Sequence, residues 1–307
     1  MSATTSDRPL ASVRTPAPAG WLALDGVFWR RLARAGASRA PGWFVRWSPP
    51  LIGAAIALAS PGARRRISRQ LARARGPVCR SRDVLEVVQT FANFASCITE
   101  VLATGSRNDV SPRAVIHRSA GVDDILASLD GVIFATAHTA GWEGLGALVA
   151  RDHRKRVMIV MQPERDPKAR ELQDAMRQAK EGVHVVHVGG DPLASLPLMR
   201  HLRDGGVVAL QIDRVPRGMA GRPVRLFGLP GEIPEGPLRL AQLTGAPIVP
   251  VFSARTGHRR YAVHVREPVW VARHADASAL DAAAQRLADA LGGFVSAHPT
   301  QWFPFHE

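Results

Sequence analysis

Gly131-Val-Ile-Phe-Ala-Thr-Ala137 runs directly into His138-Thr-Ala-Gly-Trp-Glu143, and these thirteen residues indicate the fold class most clearly. A short apolar run that is rich in β-branched residues and starts at a glycine predicts a strand buried on both faces. Such strands belong to parallel sheets, in which reactive side chains collect beyond the carboxyl ends of the strands. His138 therefore lies where chemistry is expected, and a helix is predicted to begin just after the turn.

The same two kinds of segment alternate along the rest of the chain. Strands are predicted over 157–161, 183–188, 206–211, 248–254 and 261–267, and helices over 142–150, 169–180, 192–203, 237–243 and 278–296. This alternation predicts a single α/β domain over 83–307, with a central, mostly parallel sheet covered by helices. The domain is expected to open with a helix over 83–104, whose apolar residues share one face.

The first 82 residues carry most of the net positive charge of the chain. They carry fifteen arginines, no lysine and only Asp7 and Asp25, within a chain of net charge +14. So basic a segment needs an anionic partner, which is nucleic acid, an anionic membrane surface or an acidic protein. Trp21, Trp29 and Trp43 stand among the arginines, a composition typical of interfacial anchors, and this favours the membrane over nucleic acid.

We therefore expect residues 1–20 to be a disordered tail and residues 21–82 to form basic amphipathic helices on a membrane surface. The longest apolar run, 51–59, is far shorter than the roughly 18 to 20 residues of a spanning helix. No nucleic-acid partner is expected. The two cysteines, Cys79 and Cys97, match neither a disulfide framework nor a zinc pattern, so no metal and no cofactor are predicted.

The pair His138 and Glu143 indicates general-base chemistry. An imidazole with a pKa near roughly 6.5 can accept the proton of an attacking hydroxyl at neutral pH. If residues 139–141 form a turn, the Glu143 carboxylate can fold back onto the imidazole, orient it and stabilise its protonated form. The motif contains no serine or cysteine, so direct transfer between two bound substrates is simpler than a covalent route, with Thr139 as the alternative nucleophile.

Five blocks follow one another in a characteristic order. They are His138-Thr-Ala-Gly-Trp-Glu143, Val160-Met-Gln-Pro-Glu-Arg-Asp-Pro167, Gly205-Gly-Val-Val-Ala-Leu-Gln-Ile-Asp213 with Arg225-Leu-Phe-Gly228, the segment 236–252, and His298-Pro-Thr-Gln-Trp302. From about residue 69 to 303 the chain resembles the lysophospholipid acyltransferase superfamily, and specifically its lipid A biosynthesis (lauroyl/myristoyl) acyltransferase branch. The resemblance implies that His138 and Glu143 are the catalytic dyad.

Further residues within or next to these blocks are expected to bind substrate. They are Arg177, Asp213, Gln162, Arg214 and Gly236. Arg177 and Asp213 either form an ion pair that braces the site or bind an anionic head group. Arg214, with Arg217 and Arg222, lies in a Gly-rich stretch that either meets phosphate or forms a solvated loop face.

Gln162 and Val215 stand where the branch usually has an arginine and a second acid, which removes charge from the expected acceptor-side groove. The resemblance therefore implies acyl transfer, with lipid A or another lipid as the acceptor.

The resemblance implies an O-acyltransferase that is peripheral on the cytoplasmic face of the inner membrane. Its donor is expected to be an acyl carrier protein or coenzyme A thioester, and its acceptor a lipid hydroxyl. Because acyl carrier proteins are acidic, the arginine-rich segment suits donor and membrane alike. The competing interpretation is a non-catalytic scaffold, in which the basic segment binds a membrane surface or nucleic acid.

Overall fold

A seven-stranded sheet forms the centre of the computed structural model, which describes residues 27–109, 112–128, 130–142, 155–162, 182–188 and 195–305. The strands are β1 (Arg113–Arg118), β2 (Val132–Thr136), β3 (Val157–Met161), β4 (Val183–His187), β5 (Val207–Gln211), β6 (Gly221–Leu226), β7 (Leu229–Pro234), β8 (Ile248–Gly257) and β9 (Arg260–Val265). Their order in the sheet is β1-β9-β8-β2-β5-β3-β4, while β6 and β7 pair as a separate hairpin. Among the described pairs of the large sheet only β8 and β9 run antiparallel, which confirms the predicted mostly parallel sheet.

Helices flank this sheet and precede it. They are α1 (Val27–Arg39), α2 (Gly42–Ala59), α3 (Pro61–Arg75), α4 (Arg80–Leu102), α5 (Val122–Ala127), α6 (Ser195–Arg203), α7 (Gly236–Thr244) and α8 (Ala277–Ala297). The Asp276 side chain caps α8 by accepting a hydrogen bond from the Ala279 amide at 2.8 Å. The helix α7 has a proline in its first turn and ends at Gly245 in the left-handed region (φ 77°).

The central strand β2 is buried at all five positions because helices cover both faces of the sheet. Successive side chains of a strand point to opposite faces. Ile133 and Ala135 therefore join a core with α6, α7 and α8, whereas Val132 and Phe134 join a second core that includes α5. A third core lies between α2, α3, α4 and the C-terminal phenylalanines.

The helix α2 packs one face on α4 and leaves the other exposed. Its buried positions recur every four residues, at Val45, Pro49, Gly53 and Ala57. A side chain at Gly53 would collide with the backbone of Phe91, its ideal Cβ lying 2.5 Å from the carbonyl oxygen, so glycine permits the close approach of the two helices. Within the described residues, no helix combines the length and the apolar character needed to cross a bilayer.

The structure adds elements that the sequence pattern did not predict. These are β1, α5, α2 as a separate helix, and the β6–β7 hairpin, which replaces the expected Gly-rich loop around Arg222. Arg222 lies in β6 and forms ion pairs with Glu235 (3.0 Å) and Asp281 (2.5 Å) instead of facing solvent alone. Apart from Trp142, the helices predicted over 142–150 and 169–180 lie outside the described residues.

Candidate active site

The parallel pairing of β2 with β5 brings His138 and Asp213 together. Thr136 and Gln211 are register partners at the ends of the two strands, and the Ile212 amide extends the ladder by donating to the Thr136 carbonyl at 2.8 Å. His138 and Asp213 each stand two residues beyond these partners. Strand register therefore places both side chains at the same point of the carboxyl edge.

The His138 ring is hydrogen-bonded to a buried carboxylate. Its Nδ1 lies 2.9 Å from Asp213 Oδ1 and 3.1 Å from Oδ2. The side chains are 22% and 3% exposed, respectively, so histidine reaches solvent while aspartate does not. Burial by itself raises the pKa of Asp213, but attraction to His138, hydrogen bonds from His138 and Trp302, and the charge of Arg214 lower that pKa to about 2.

Arg214 covers the other ring nitrogen. One of its guanidinium nitrogens, Nη2, lies 2.5 Å from His138 Nε2. Because a guanidinium only donates, Nε2 is the acceptor, and the neutral ring carries its proton on Nδ1, facing Asp213. Burial lowers the pKa of Arg214, and the charge of Asp213 partly offsets that effect. The contacts thus select the tautomer whose Nε2 lone pair can take a proton.

The turn after His138 is held from beneath. Gly141 has φ 76°, and an ideal Cβ there would lie 2.3 Å from the Tyr261 ring, so the turn needs glycine for conformation and for space. Thr139 is fully buried, and its hydroxyl accepts from the Ser253 amide at 3.3 Å. The Ser253 hydroxyl in turn donates to the Ala140 carbonyl. Thr139 is therefore part of the framework of the turn.

Tyr261 belongs to a polar network centred on Glu100 of α4. Its hydroxyl donates to Glu100 Oε2 at 2.5 Å, while Oε1 accepts from Arg255 Nη2 (3.1 Å) and the Arg259 amide (3.1 Å). Burial, together with the charges of Cys97 and Glu100, raises the pKa of Tyr261 well above its ordinary value. The network ties α4 and the β8–β9 hairpin to the floor of the histidine turn.

The segment after α8 also joins the site. The Ala140 amide donates to the Gln301 carbonyl and the Phe303 amide donates to the His138 carbonyl, both at 2.9 Å. Trp302 lies between these bonds, and its indole Nε1–H donates to Asp213 Oδ2 at 3.0 Å. Residues 301–303 thus contact the histidine turn as well as Asp213.

Of the four remaining predicted site residues, Gln162 and Gly236 lie within the described part of the chain. Gln162 follows β3, the neighbour of β5, and is exposed at the same edge of the sheet. Gly236 begins α7, where an added Cβ would meet no atom within 4 Å. Glu143 and Arg177 lie outside the described residues. The structure thus brings His138, Asp213 and Arg214 together, and it pairs Asp213 with the histidine.

Trp302 and the Glu100 network were missed as parts of the site. The block His298 to Trp302 had been recognised as a motif, but its position beside Asp213 follows only from tertiary packing. Nothing in the spacing of Glu100 and Tyr261, which are 161 residues apart, indicates their contact. Among the described residues there is no group of three or more histidine, cysteine or acidic side chains that could hold a metal ion.

An imidazole held by a buried carboxylate at Nδ1, with Nε2 as an acceptor at the edge of a parallel sheet, has the geometry of a general base in an α/β protein. A family model for bacterial lipid A biosynthesis acyltransferases matches residues 81–307. The chain therefore belongs to the bacterial lipid A biosynthesis acyltransferase family.

The chain is also similar to the phosphatidylinositol mannoside acyltransferases of two Mycobacterium tuberculosis strains, with 27% identity over 182 residues in each case. The alignment covers 59% of this chain and 55% of each relative, so it spans about half the length of these proteins.

Proposed function

We propose that this chain is an O-acyltransferase that moves a fatty acyl group from an acyl carrier protein or coenzyme A thioester to a hydroxyl of a membrane lipid or glycolipid. One observation carries the proposal: His138 Nδ1 is hydrogen-bonded to the buried Asp213 carboxylate, which leaves Nε2 to accept a proton. Membership of the lipid A biosynthesis acyltransferase family supports the same reaction.

In the proposed reaction, His138 Nε2 takes the proton of the acceptor hydroxyl while the hydroxyl oxygen attacks the thioester carbonyl carbon. Asp213 stabilises the imidazolium that forms. When the carbon–sulfur bond of the tetrahedral intermediate breaks, the thiolate leaves and takes the proton from Nε2, which restores the neutral ring. No acyl-enzyme is needed, and the fully buried Thr139 is poorly placed to be a nucleophile.

Arg214 is proposed to leave Nε2 when the acceptor hydroxyl arrives, because the ring nitrogen has one lone pair and accepts one hydrogen bond. The displaced guanidinium remains close to the reacting carbon and can donate to the thioester oxygen as its negative charge develops. Glu143, the acid of the histidine motif, is proposed to stabilise the protonated form of His138 through its negative charge, and Arg177 is proposed as a cation for the head group of the acceptor.

A glycolipid is the acceptor class that we favour. Gln162 is exposed at the active edge of the sheet, and both it and Val215 are uncharged where the family resemblance leads to charged residues. A sugar-rich head group presents hydroxyl and amide groups. These need fewer charged protein side chains as partners than the phosphates of a strongly phosphorylated head group do. The mycobacterial relatives are named as acyltransferases of phosphatidylinositol mannoside, which is a glycolipid. Gly236 is proposed to leave space for this substrate.

The N-terminal helices are proposed to dock on the cytoplasmic face of the inner membrane without crossing it. On α2, Trp43, Trp47 and Leu51 are 67%, 62% and 72% exposed at a spacing of four residues, so they share one face of the helix. On α3, Arg65, Arg69 and Arg73 recur at the same spacing, and their side chains suit anionic lipid head groups. Exposed tryptophans and arginines together favour an interfacial position.

The proposal is tested by mass spectrometry of lipid extracts from cells that express the wild-type chain, His138→Ala or His184→Ala. His184 is an exposed histidine of the edge strand β4 and provides a matched control for the loss of an imidazole. We expect a lipid heavier by one acyl chain with wild type and His184→Ala, and none with His138→Ala, because loss of a general base lowers the rate by roughly 10² to 10⁴-fold. The mass of the product identifies the acceptor.

Equal products with wild type and His138→Ala would contradict the role of His138. Absence of the heavier lipid from all three extracts would favour the scaffold interpretation. Binding to vesicles and to DNA, measured at low and high salt, would then decide between a membrane surface and nucleic acid as the partner.

A further inference from the structure

The backbone around Trp302 is fixed relative to the backbone around His138. Thr139 and Trp302 form an isolated antiparallel bridge, flanked by the 2.9 Å bonds from the Ala140 amide to the Gln301 carbonyl and from the Phe303 amide to the His138 carbonyl. These bonds involve no side chain of Trp302. A substitution of the indole therefore leaves the segment connected to the histidine turn.

The indole itself completes the hydrogen bonding of Asp213. Asp213 Oδ1 is the closer oxygen to His138 Nδ1, at 2.9 Å, and Oδ2 accepts from Trp302 Nε1 at 3.0 Å. The tryptophan is only 6% exposed, and its ring lies 5.9 Å from that of Phe227, with the two rings tilted by 53°. A carboxylate with a donor on each oxygen cannot rotate without losing both hydrogen bonds. Because water does not replace a lost donor at a buried carboxylate, each loss costs the full desolvation penalty of that oxygen.

We propose that Trp302 is a positioning residue for acyl transfer: its indole N–H holds the Asp213 carboxylate at the angle that keeps the ring proton of His138 on Nδ1 and Nε2 unprotonated. The inference rests on the proposed function, in which His138 is the general base. Trp302 touches neither the reacting atoms nor His138 in this role, and it acts through Asp213 alone.

A packing role for Trp302 is the alternative, because the ring also lies in the large core beside α8. Two variants separate the roles. Trp302→Phe keeps an aromatic ring and removes the N–H, and replacement of Trp302 by β-(3-benzothienyl)alanine exchanges only the N–H for sulfur. Phe303→Leu, in the same segment, reduces packing against Phe94 and leaves the indole untouched, so it serves as the matched control.

The first measurement is the proton NMR signal of His138 Nδ1–H in the full-length protein. A proton shared between an imidazole and a buried carboxylate resonates far downfield, and His138→Ala assigns the signal by removing it. We expect the signal to move upfield and exchange faster in Trp302→Phe and in the benzothienyl protein, and to stay in place in Phe303→Leu. This measurement needs no substrate, so its result is independent of the proposed reaction.

The second measurement is the release of thiol from palmitoyl-coenzyme A by the purified protein in the presence of a total lipid extract of the expressing cells. Removal of the N–H is expected to lower kcat about tenfold and to change the KM for palmitoyl-coenzyme A little. The charge-assisted hydrogen bond that is lost joins Trp302 to Asp213 and involves no substrate atom. An unchanged NMR signal in Trp302→Phe would overturn the inference. So would an altered signal with wild-type kcat, whereas activity retained by His138→Ala would instead overturn the proposed function.

Discussion

The edge of the sheet around His138 and the outward face of α2 are built on opposite principles. At the edge, a buried carboxylate links two donors in a chain of hydrogen bonds. Trp302 Nε1 lies 3.0 Å from Asp213 Oδ2, and His138 Nδ1 lies 2.9 Å from Asp213 Oδ1. On α2, large apolar side chains such as Trp43 and Leu51 are exposed and need no particular partner. Hydrogen bonds depend on direction, whereas apolar burial depends on area. A single atom should therefore matter at the edge, and only several side chains together should matter on α2.

The largest effect is expected from Asp213→Asn. Because Trp302 donates to the oxygen of the new amide, the amide NH₂ faces His138 Nδ1, which must then accept, and the ring proton moves to Nε2. A ring protonated at Nε2 cannot act as the base, so acyl transfer should fall roughly 10³-fold, within the range ascribed to general-base assistance. The rate of thiol release from palmitoyl-coenzyme A measures the effect.

The matched control for this prediction is Asp281→Asn, which removes an aspartate that is 48% exposed on α8 and pairs with Arg222. It should transfer acyl groups at the wild-type rate. A wild-type rate in Asp213→Asn would contradict the histidine–aspartate mechanism, and Glu143→Gln would then test the carboxylate of the histidine motif.

The next largest effect is expected on membrane binding. Changing Trp43, Trp47 and Leu51 together to serine removes apolar area. Burial of that area in a bilayer contributes a binding free energy of roughly 25 cal/mol per Å². We expect the vesicle partition coefficient to fall on the order of a hundredfold, and each single change to have a small part of that effect. Co-sedimentation with vesicles of phosphatidylglycerol and phosphatidylcholine measures it.

The control is the pair Leu196→Ser and Leu243→Ser, which removes leucines that are 54% and 50% exposed on α6 and α7. Equal loss of binding in the control would mean that α2 is not the docking face. High salt should weaken binding of the wild type only in part, since it screens the arginines and leaves the apolar contribution.

A smaller effect, on stability, is expected from Tyr261→Phe. The phenylalanine ring still packs beneath Gly141, but Glu100 Oε2 loses the donor that lies 2.5 Å away. The free energy of unfolding should fall by about 1 to 3 kcal/mol, the usual cost of a buried acceptor without a partner. Urea denaturation followed by circular dichroism measures it, and an unchanged midpoint would contradict a stabilising role for this hydrogen bond.

The smallest effect is a dependence of stability on pH. His264 stacks on His117 and also packs against His298, whose ring is tilted by 47°. Burial together with the charges of His298, His117 and Arg266 lowers the pKa of His264 to about 4. As the pH falls from roughly 6.5 toward 4, the unfolded chain binds a proton that the folded chain does not, so stability decreases and then levels off.

Melting temperatures at pH 7 and pH 5 measure this effect. The drop should be smaller in His264→Phe than in the wild type, since phenylalanine keeps an aromatic ring in the stack and cannot bind a proton. An equal drop in both proteins would mean that other groups control the acid sensitivity.

The sequence predicted the fold class well because apolar strands and one-faced helices leave a periodic pattern. The strand before His138, the strand over 157–161 and the long last helix were found within one or two residues of their observed bounds. The hairpin around Arg222 was missed, since its strands alternate poorly and are rich in glycine and proline, which are typical of loops. The edge strand β1 was missed because its pattern mixes exposed and half-buried residues.

The α/β architecture, the family and the position of His138 at the end of a central strand can be inferred from the sequence, because local periodicity and the order of the motifs encode them. The groups that surround the imidazole, in contrast, are revealed only by the three-dimensional packing of the chain. Asp213 lies 75 residues from His138 and Trp302 a further 89 residues from Asp213. Their contacts depend on strand order, register and the return of the chain after α8. Such contacts between residues far apart in the chain leave no periodic trace, since packing of the whole domain is what brings them within hydrogen-bonding distance.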